Sequence, residues 1–266
     1  MRSRPEGCSQ VVSPLPPAVT LAGVNAATRR GAVQRLELMS WRQVSEWFRQ
    51  DPRLLLPVGT CLQHGPHLPL GTDTLIVEQL AEDVSRRTGL LLAPTIPYGV
   101  SSDAERDYAG TASLARKTLH RVLNELVDAW ERQGLEELIL MTAHGYGPHI
   151  QALAAVLADT VRVRAVDIHA IDLTAFLACR EMAEHAGELD TSLMLYLAPE
   201  LVTRDEVRDE VAETGNGRPT EEDEPVPARG SAGVVGRPSL SSAETGRRVY
   251  EYLVDYITRR LENHAP

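Results

Sequence analysis

Histidine and carboxylate side chains are concentrated in one stretch, LLLPVGTCLQHGPHLPLGTD at residues 54–73. Its apolar beginning predicts a buried strand. The loop that follows carries His64, His67 and Asp73 between prolines and glycines, which hold it in a non-helical course. Imidazole and carboxylate are side chains that a transition metal uses when water must be activated near neutral pH. The stretch therefore predicts a metal site, and the alternative is a proline-rich surface loop with incidental histidines.

Another histidine, His144, follows a second predicted strand. Residues 138–142 form an apolar run, and AHGYGPH follows at 143–149. In α/β proteins with a parallel sheet, ligands bind beyond the carboxyl ends of the strands. We therefore expect His64, Asp73 and His144 to converge at one end of the sheet.

A third cluster of reactive side chains, HAGELDTS, spans residues 185–192. It supplies His185, Glu188 and Asp190 just before a predicted helix. Acids in the first turn of a helix are also favoured by the helix dipole alone. The spacing therefore leaves open whether these acids serve a site or only the helix. For His149, we favour a surface position at a helix N-terminus over metal ligation.

Strands and helices alternate along the chain between these clusters. The predicted strands cover residues 36–39, 54–58, 90–96, 138–142 and 161–168, and the predicted helices cover residues 41–48, 73–87, 114–133, 150–157, 173–184, 193–197 and 243–261. This alternation predicts an α/β fold in which helices cover both faces of a mostly parallel sheet.

The length of 266 residues suits a single large domain. We interpret residues 31–266 as that domain, with a charged, mobile insertion near residues 203–229, and residues 1–30 as disordered. The 27 basic and 37 acidic residues give a net charge of −10, which argues against a nucleic-acid binder. No apolar run approaches the roughly 18 residues of a membrane span. Three cysteines form no even disulfide framework, so we expect a cytoplasmic setting.

The motifs, taken together, resemble those of the creatininase (creatinine amidohydrolase) family. The resemblance covers about residues 36–261 and includes PVGTCLQHGPHLPLGTD at 57–73, PYG at 97–99, YAGT at 108–111, AHG at 143–145, HAGELDTS at 185–192 and GVVGRPS at 233–239. It implies a three-layer α/β/α sandwich, a divalent-metal site, hydrolysis of a C–N amide bond and a homo-oligomer, often a hexamer. Members of the family act on creatinine, on formamide intermediates of flavin and deazaflavin biosynthesis, and on a peptide in mycofactocin maturation.

The resemblance also implies roles for individual residues. His64, Asp73 and His144 would be metal ligands, with Asp73 bridging where two metals are present. Glu188 would ligate or orient the second metal or its water, and His185 would shuttle protons, which suits the ordinary pKa of histidine. Zinc, manganese or iron, one or two per chain, fits such ligands.

The chain departs from the family pattern at four positions. Leu62 stands where the family has a metal-ligating Glu, and Tyr146 stands where the creatininases proper have an acidic ligand. Asp190 replaces the Glu of a Glu-Thr-Ser segment, and Glu105 stands where a His is common. The remaining ligands suffice for one metal with an open position. Glu105 is a candidate replacement for the lost carboxylate, and the other interpretation is an empty first metal position in a repurposed protein.

Polar side chains near the motifs are candidates for substrate binding, namely His67, Tyr98, Glu105, Tyr146 and Asp190. His67 lies between two prolines, where it either hydrogen-bonds the loop or orients a metal ligand. Tyr146 either donates a hydrogen bond to substrate or fills the space of the missing acid.

These observations predict a metal-dependent hydrolase with an altered site. Its substrate would be a small molecule with a cyclic amide, formamide or peptide-like C–N bond, and the protein would be a homo-oligomer without nucleic-acid or membrane partners. One alternative is a non-hydrolytic biosynthetic enzyme on the same scaffold. Another is a catalytically weak homologue that binds a ligand or partner. The retained histidines and acids favour an enzyme.

Overall fold

The structure, a computed structural model, describes residues 31–178, 184–210 and 231–262. Within these residues, five strands form one sheet: β1 (Gln34–Arg35), β2 (Arg53–Pro57), β3 (Leu91–Leu92), β4 (Glu137–Thr142) and β5 (Arg162–Asp167). Their order is β1-β3-β2-β4-β5, and every neighbouring pair is parallel. The prediction of a parallel sheet is thereby confirmed.

In the part of the chain that the structure describes, six α-helices accompany the sheet: α1 (Trp41–Gln50), α2 (Thr72–Thr88), α3 (Arg116–Glu131), α4 (Gly147–Ala154), α5 (Glu188–Leu197) and α6 (Ala243–Glu262). Two separate apolar clusters fill the space between helices and strands. One contains buried residues of α2, α5 and α6, and the other contains those of α1, α3 and α4. Alternate residues of β2 and β4 enter opposite clusters, as the pleat of a strand requires. The three-layer α/β/α sandwich is confirmed.

Local chemistry accounts for two predicted helix boundaries. Ser40 caps α1 through a capping box, in which its hydroxyl accepts from the backbone N–H of Gln43 while the Gln43 side chain accepts from the Ser40 backbone. Gly89 ends α2 in the left-handed conformation, with φ at 76°, which a residue without Cβ adopts at little cost.

The strand predicted over residues 36–39 is wrong, and the strand predicted over residues 90–96 is shorter than expected. Residues 36–38 form a 3₁₀ turn, and only the two residues before them pair in the sheet. Strand β3 ends at Leu92, although the Ala93 N–H still donates to the Leu55 carbonyl, and Pro94 has no N–H with which to extend the pairing on the side of β1. The chain rejoins the sheet briefly at a bridge between Val58 and Ile96.

The helix predicted over residues 173–184 is wrong for residues 173–178, which form turns, and residues 179–183 lie outside the described part. Helix α5 begins at Glu188, five residues before the predicted start. The predicted disordered residues 1–30, and residues 211–229 of the predicted insertion, also lie outside the described part. Residues 203–210 contain a 3₁₀ turn, and Glu210 pairs with Gly236. Within the described ranges no helix has the length and apolarity to span a membrane.

Candidate metal centre

Asp73 lies at the centre of the candidate site, in the first turn of α2, and its side chain is buried. Its Oδ1 is 3.0 Å from His64 Nε2, and its Oδ2 is 3.1 Å from His144 Nδ1. The hydroxyl of Thr60, just beyond β2, donates to Oδ2 at 2.6 Å. The structure therefore brings together His64, Asp73 and His144, which the sequence placed after β2 and β4. Thr60 is an addition that its position after a strand-ending glycine could have suggested.

The far side of each imidazole is held by a backbone carbonyl. His64 Nδ1 is 3.0 Å from the Leu62 oxygen, and His144 Nε2 is 2.9 Å from the Val100 oxygen. A carbonyl can only accept a hydrogen bond, so each of these nitrogens carries a proton. In the neutral rings, the nitrogens that face Asp73 therefore present lone pairs to a carboxylate. This arrangement requires a positive charge, either as protons on the rings or as a cation.

The pKa shifts at this centre reflect the need for a positive charge beside Asp73. Burial alone would lower the pKa of His64, but the charge and hydrogen bond of Asp73 raise it to about 9. The pKa of His144 is also raised, because Asp73 again outweighs burial. Burial would raise the pKa of Asp73, but the two adjacent imidazolium charges hold it well below its ordinary value. Without a cation, protons on the histidines neutralise the carboxylate.

The donors fit a divalent metal in their chemistry, although they do not form a ready-made cage. Across residues 31–178, 184–210 and 231–262, no group of three or more His, Cys, Asp and Glu side chains is spread around a common point as a metal requires. Asp73 instead contacts both imidazoles directly. Two imidazole nitrogens and a carboxylate, oriented by backbone carbonyls from behind, are nonetheless a donor set that zinc and related metals use. A cation would replace the protons that now bridge them.

His185, in the segment that precedes α5, packs against this centre. Its ring lies 4.5 Å from the ring of His64, centroid to centroid. Its Nε2 lies 2.9 Å from the backbone oxygen of Gln63, 3.0 Å from the side-chain amide nitrogen of Gln63 and 3.6 Å from an oxygen of the buried carboxylate of Glu105. Burial and the charge of His64 lower the pKa of His185 to about 4. Two predicted site residues, Glu105 and His185, are thus adjacent.

The first turn of α5 holds the backbone on which His185 sits. Asp190 Oδ2 accepts from the Ala186 N–H at 2.9 Å, and Ala186 has a left-handed φ of 53°. The carboxylate of Glu188 accepts from the Ala178 N–H at 2.9 and 3.0 Å. Both acids therefore have backbone partners, and the predicted roles of Glu188 at a metal and Asp190 at substrate stay predictions.

The other predicted substrate residues differ in their exposure. His67 is fully buried and its Nε2 is 2.9 Å from the Thr191 hydroxyl, so it joins the loop to α5. Tyr98 is largely exposed. The ring of Tyr146 is 6.2 Å from that of His144. Tyr98 and Tyr146 stay predictions as substrate contacts.

The predicted surface position of His149 is wrong, because its side chain is completely buried. Helix α4 begins at Gly147, three residues earlier than predicted, so His149 lies in its first turn and points inward. Its ring meets that of His144 edge-on, with 5.0 Å between centroids. Burial and the charge of His144 lower the pKa of His149 to about 3, so this ring is neutral.

Comparisons with known proteins show which family the chain is similar to. A family model described as creatinine amidohydrolase matches residues 37–261. A mycofactocin precursor peptide peptidase of Mycobacterium ulcerans is 32% identical over 235 residues, which cover 81% of this chain and 86% of that protein. A creatinine amidohydrolase of Pseudomonas putida is 28% identical over 239 residues, covering 81% and 91%.

A solved structure of a mutant creatininase of zinc–zinc type matches with a TM-score of 0.73 at 25% identity, covering 87% of this chain and 98% of that one. The family model spans most of the chain, and the matched region includes every loop that builds the centre around Asp73. The chain therefore belongs to the creatininase family and is an amidohydrolase of that family.

Proposed function

We propose that this amidohydrolase is metal-dependent, that it hydrolyses a peptide-like C–N amide bond, and that His64, Asp73 and His144 hold one divalent ion. The peptide-like substrate is supported by the 32% identity to a mycofactocin precursor peptide peptidase. The metal is supported by the zinc–zinc type creatininase among the matching structures. The chain's net charge of −10 supports a substrate other than nucleic acid.

One observation supports the metal above all others. The carboxylate of Asp73 is buried between two imidazole nitrogens, and backbone carbonyls fix the protons of both rings on their far sides. A buried carboxylate that faces two lone pairs needs a compensating positive charge. A divalent cation supplies that charge without requiring both rings to be protonated.

The altered site is proposed to hold one metal because of Leu62. Its side chain is buried and cannot coordinate a metal, whereas its carbonyl orients His64. Three protein ligands leave a position for water and substrate, as in catalytic zinc sites. We leave the metal open between zinc, manganese and iron, since imidazole and carboxylate accept all three.

A divalent ion bound there supplies Lewis acidity, which polarises an amide carbonyl and favours deprotonation of water. His185 is placed to move the proton. Its Nε2 contacts both the backbone oxygen and the side-chain amide nitrogen of Gln63, and these contacts hold the ring in place. A proton taken up by the ring can pass to the leaving nitrogen, and the carboxylate of Glu105, 3.6 Å from Nε2, stabilises the imidazolium between these steps.

The decisive test measures metal content and hydrolysis on the same preparations. Elemental analysis of the full chain should find about one zinc, manganese or iron per wild-type chain and little in His64→Ala or Asp73→Asn. Hydrolysis of a panel of peptides, cyclic amides and formamides should cease after chelation and return with metal. His120→Ala, a change on α3 beside Asn124, is the control that should retain both properties. A wild-type chain with no metal would contradict the proposal and favour a homologue that binds a ligand or partner. A metal-loaded chain that hydrolyses none of the three substrate classes would favour the non-hydrolytic enzyme.

We also propose a reducing, cytoplasmic setting and a homo-oligomer. Within the described residues, Cys61 is a free thiol, which supports a reducing compartment. The oligomer is supported by the family resemblance, and light scattering on purified protein measures it.

A further inference from the structure

We propose that His149 is a positioning residue that holds His144 in its metal-binding orientation through the backbone of Val100, whose N–H and C=O contact the two rings. The inference rests on the proposed metal centre and adds a residue that the family resemblance did not include. Its basis is the set of hydrogen bonds that joins two buried histidines, His144 and His149, to the same two residues, Val100 and Thr142.

The hydrogen bonds of His149 have only one consistent assignment. Its Nδ1 is 3.3 Å from the backbone nitrogen of Val100, which can only donate, so Nδ1 is the acceptor. The ring proton of the neutral imidazole therefore lies on Nε2, which is 3.1 Å from the hydroxyl oxygen of Thr142. With both ring nitrogens engaged, this buried imidazole satisfies its polar atoms without touching the candidate metal ligand Asp73.

The same two partners hold His144. The carbonyl of Val100 accepts from His144 Nε2 at 2.9 Å, which directs Nδ1 towards Asp73. The hydroxyl oxygen of Thr142 accepts from the backbone N–H of His144 at 3.2 Å. His149 therefore contacts the N–H of the residue whose carbonyl orients the ring of His144, and it also contacts the hydroxyl that anchors the backbone of His144.

Close packing makes this support rigid. A Cβ placed on Gly99 would lie 2.7 Å from His149 Nδ1 and 2.8 Å from a methyl carbon of Thr60. Only a glycine lets the chain approach the imidazole this closely, so the segment leading to Val100 lies directly against the ring. The edge-on contact between His149 and His144 confines the ring of His144 from a second direction.

Two substitutions separate the two hydrogen bonds of His149. In His149→Asn, the amide oxygen can occupy the place of Nδ1 and accept from Val100, whereas the contact with Thr142 is lost. In His149→Gln, the amide nitrogen can occupy the place of Nε2 and donate to Thr142, whereas the acceptor for Val100 is lost. We expect His149→Gln to weaken Zn²⁺ binding by about 10- to 100-fold, the usual effect of removing such a supporting group, and His149→Asn to weaken it less.

The measurement is a competition titration of Zn²⁺ between a chromophoric chelator and the metal-free full chain, accompanied by thermal melts. Ser85→Ala is the matched control, because it removes a buried hydrogen bond from Ser85 Oγ to the Leu90 carbonyl, outside the contacts of the centre. It should lower stability while leaving the Zn²⁺ affinity unchanged. A His149 effect on affinity that exceeds this control supports positioning.

Equal Zn²⁺ affinity in wild type, His149→Gln and His149→Asn would overturn the inference and leave the metal centre intact. Failure of the wild type to bind Zn²⁺, manganese or iron would instead overturn the metal centre, and the inference with it. If the His149 variants do not fold, Gly99→Ala decides, because its new methyl group displaces the Val100 segment without removing any polar group. Wild-type affinity in a folded Gly99→Ala chain would overturn the inference.

Discussion

Leu62 and His64 lie two residues apart on one loop, yet they serve the centre through different atoms. His64 presents its ring to Asp73, whereas Leu62 contributes only its backbone carbonyl to orient that ring. If the family resemblance holds at position 62, leucine there keeps the carbonyl and removes one anion from the proposed site. Position 62 is therefore a sensitive test of the proposed metal count.

Restoring the carboxylate with Leu62→Glu should raise the metal content from about one to about two per chain, because a second cation needs an anionic ligand of its own. The metal-free variant should be less stable than wild type, since it buries an unpaired charge. Elemental analysis and thermal melts measure the two effects. Leu62→Gln, of similar size but uncharged, should stay at the wild-type count. Two metals already present in wild type would contradict the single-metal site and make Glu105 the first candidate for the missing ligand.

Helix α5 contributes to the centre through its first turn, which shapes the backbone under His185. The side chain of Asp190 accepts from the N–H of Ala186, a non-glycine residue with a positive φ. That conformation costs roughly 1 kcal/mol for an L-residue, so it needs support from its surroundings. Asp190, in the first turn of α5, provides that support, which explains why an acid is buried at this position.

Asp190→Ala should lower the free energy of unfolding by about 1–3 kcal/mol, because the buried N–H of Ala186 loses its acceptor. Urea denaturation measures the change. Asp190→Asn keeps a side-chain oxygen and should lose less. If the alanine and asparagine variants are both as stable as wild type, Asp190 does not support this turn, and a role at substrate gains weight.

The same helix start predicts a pH effect through Glu184, whose Oε2 accepts from the N–H groups of Glu188 and Leu189. Burial, with the nearby charges of Asp190 and Glu188, raises the pKa of Glu184 from 4.5 to about 7. Between these values the folded chain retains a proton that the unfolded chain has released. This group should therefore make stability fall as pH rises from about 4.5 to about 7.

Glu184→Gln removes the titrating group while keeping an oxygen acceptor. Urea denaturation at about pH 5 and about pH 7.5 should show a smaller loss of stability in the variant than in wild type. The same loss in both chains would show that Glu184 titrates normally.

At the scale of the whole molecule, the centre joins parts of the chain that are far apart in sequence. Val100 and His144 are 44 residues apart, and Gln63 and His185 are 122 residues apart. The loops that follow β2 and β4 meet because those strands are neighbours in the sheet. A cation bound at their junction should consequently stabilise the folded chain as a unit.

Metal at about 100 times its Kd should stabilise the folded chain by about 2.7 kcal/mol and raise Tm by about 5 °C or more. Differential scanning calorimetry of the metal-free chain, with and without Zn²⁺, measures this shift. Asp73→Asn, which removes the negative charge between the two imidazoles, should lose most of the shift. An equal shift in Asp73→Asn would indicate that Zn²⁺ binds elsewhere.

The sequence by itself determined the local elements and the order of the motifs. Hydrophobic periodicity, the Ser40 cap and the Gly89 stop depend on neighbouring residues, so the order of elements and several helix ends could be predicted. The three donors could be predicted to converge because parallel strands end on the same side of a sheet.

Only the tertiary structure decided which atoms support those donors. The Val100 carbonyl behind His144, the burial of His149 and the start of α5 at Glu188 depend on contacts between distant segments. The pattern of apolar and polar residues cannot predict which backbone carbonyl will accept from a histidine, because every residue except proline offers the same N–H and C=O groups. The choice among those groups follows from how the loops pack over the end of the sheet.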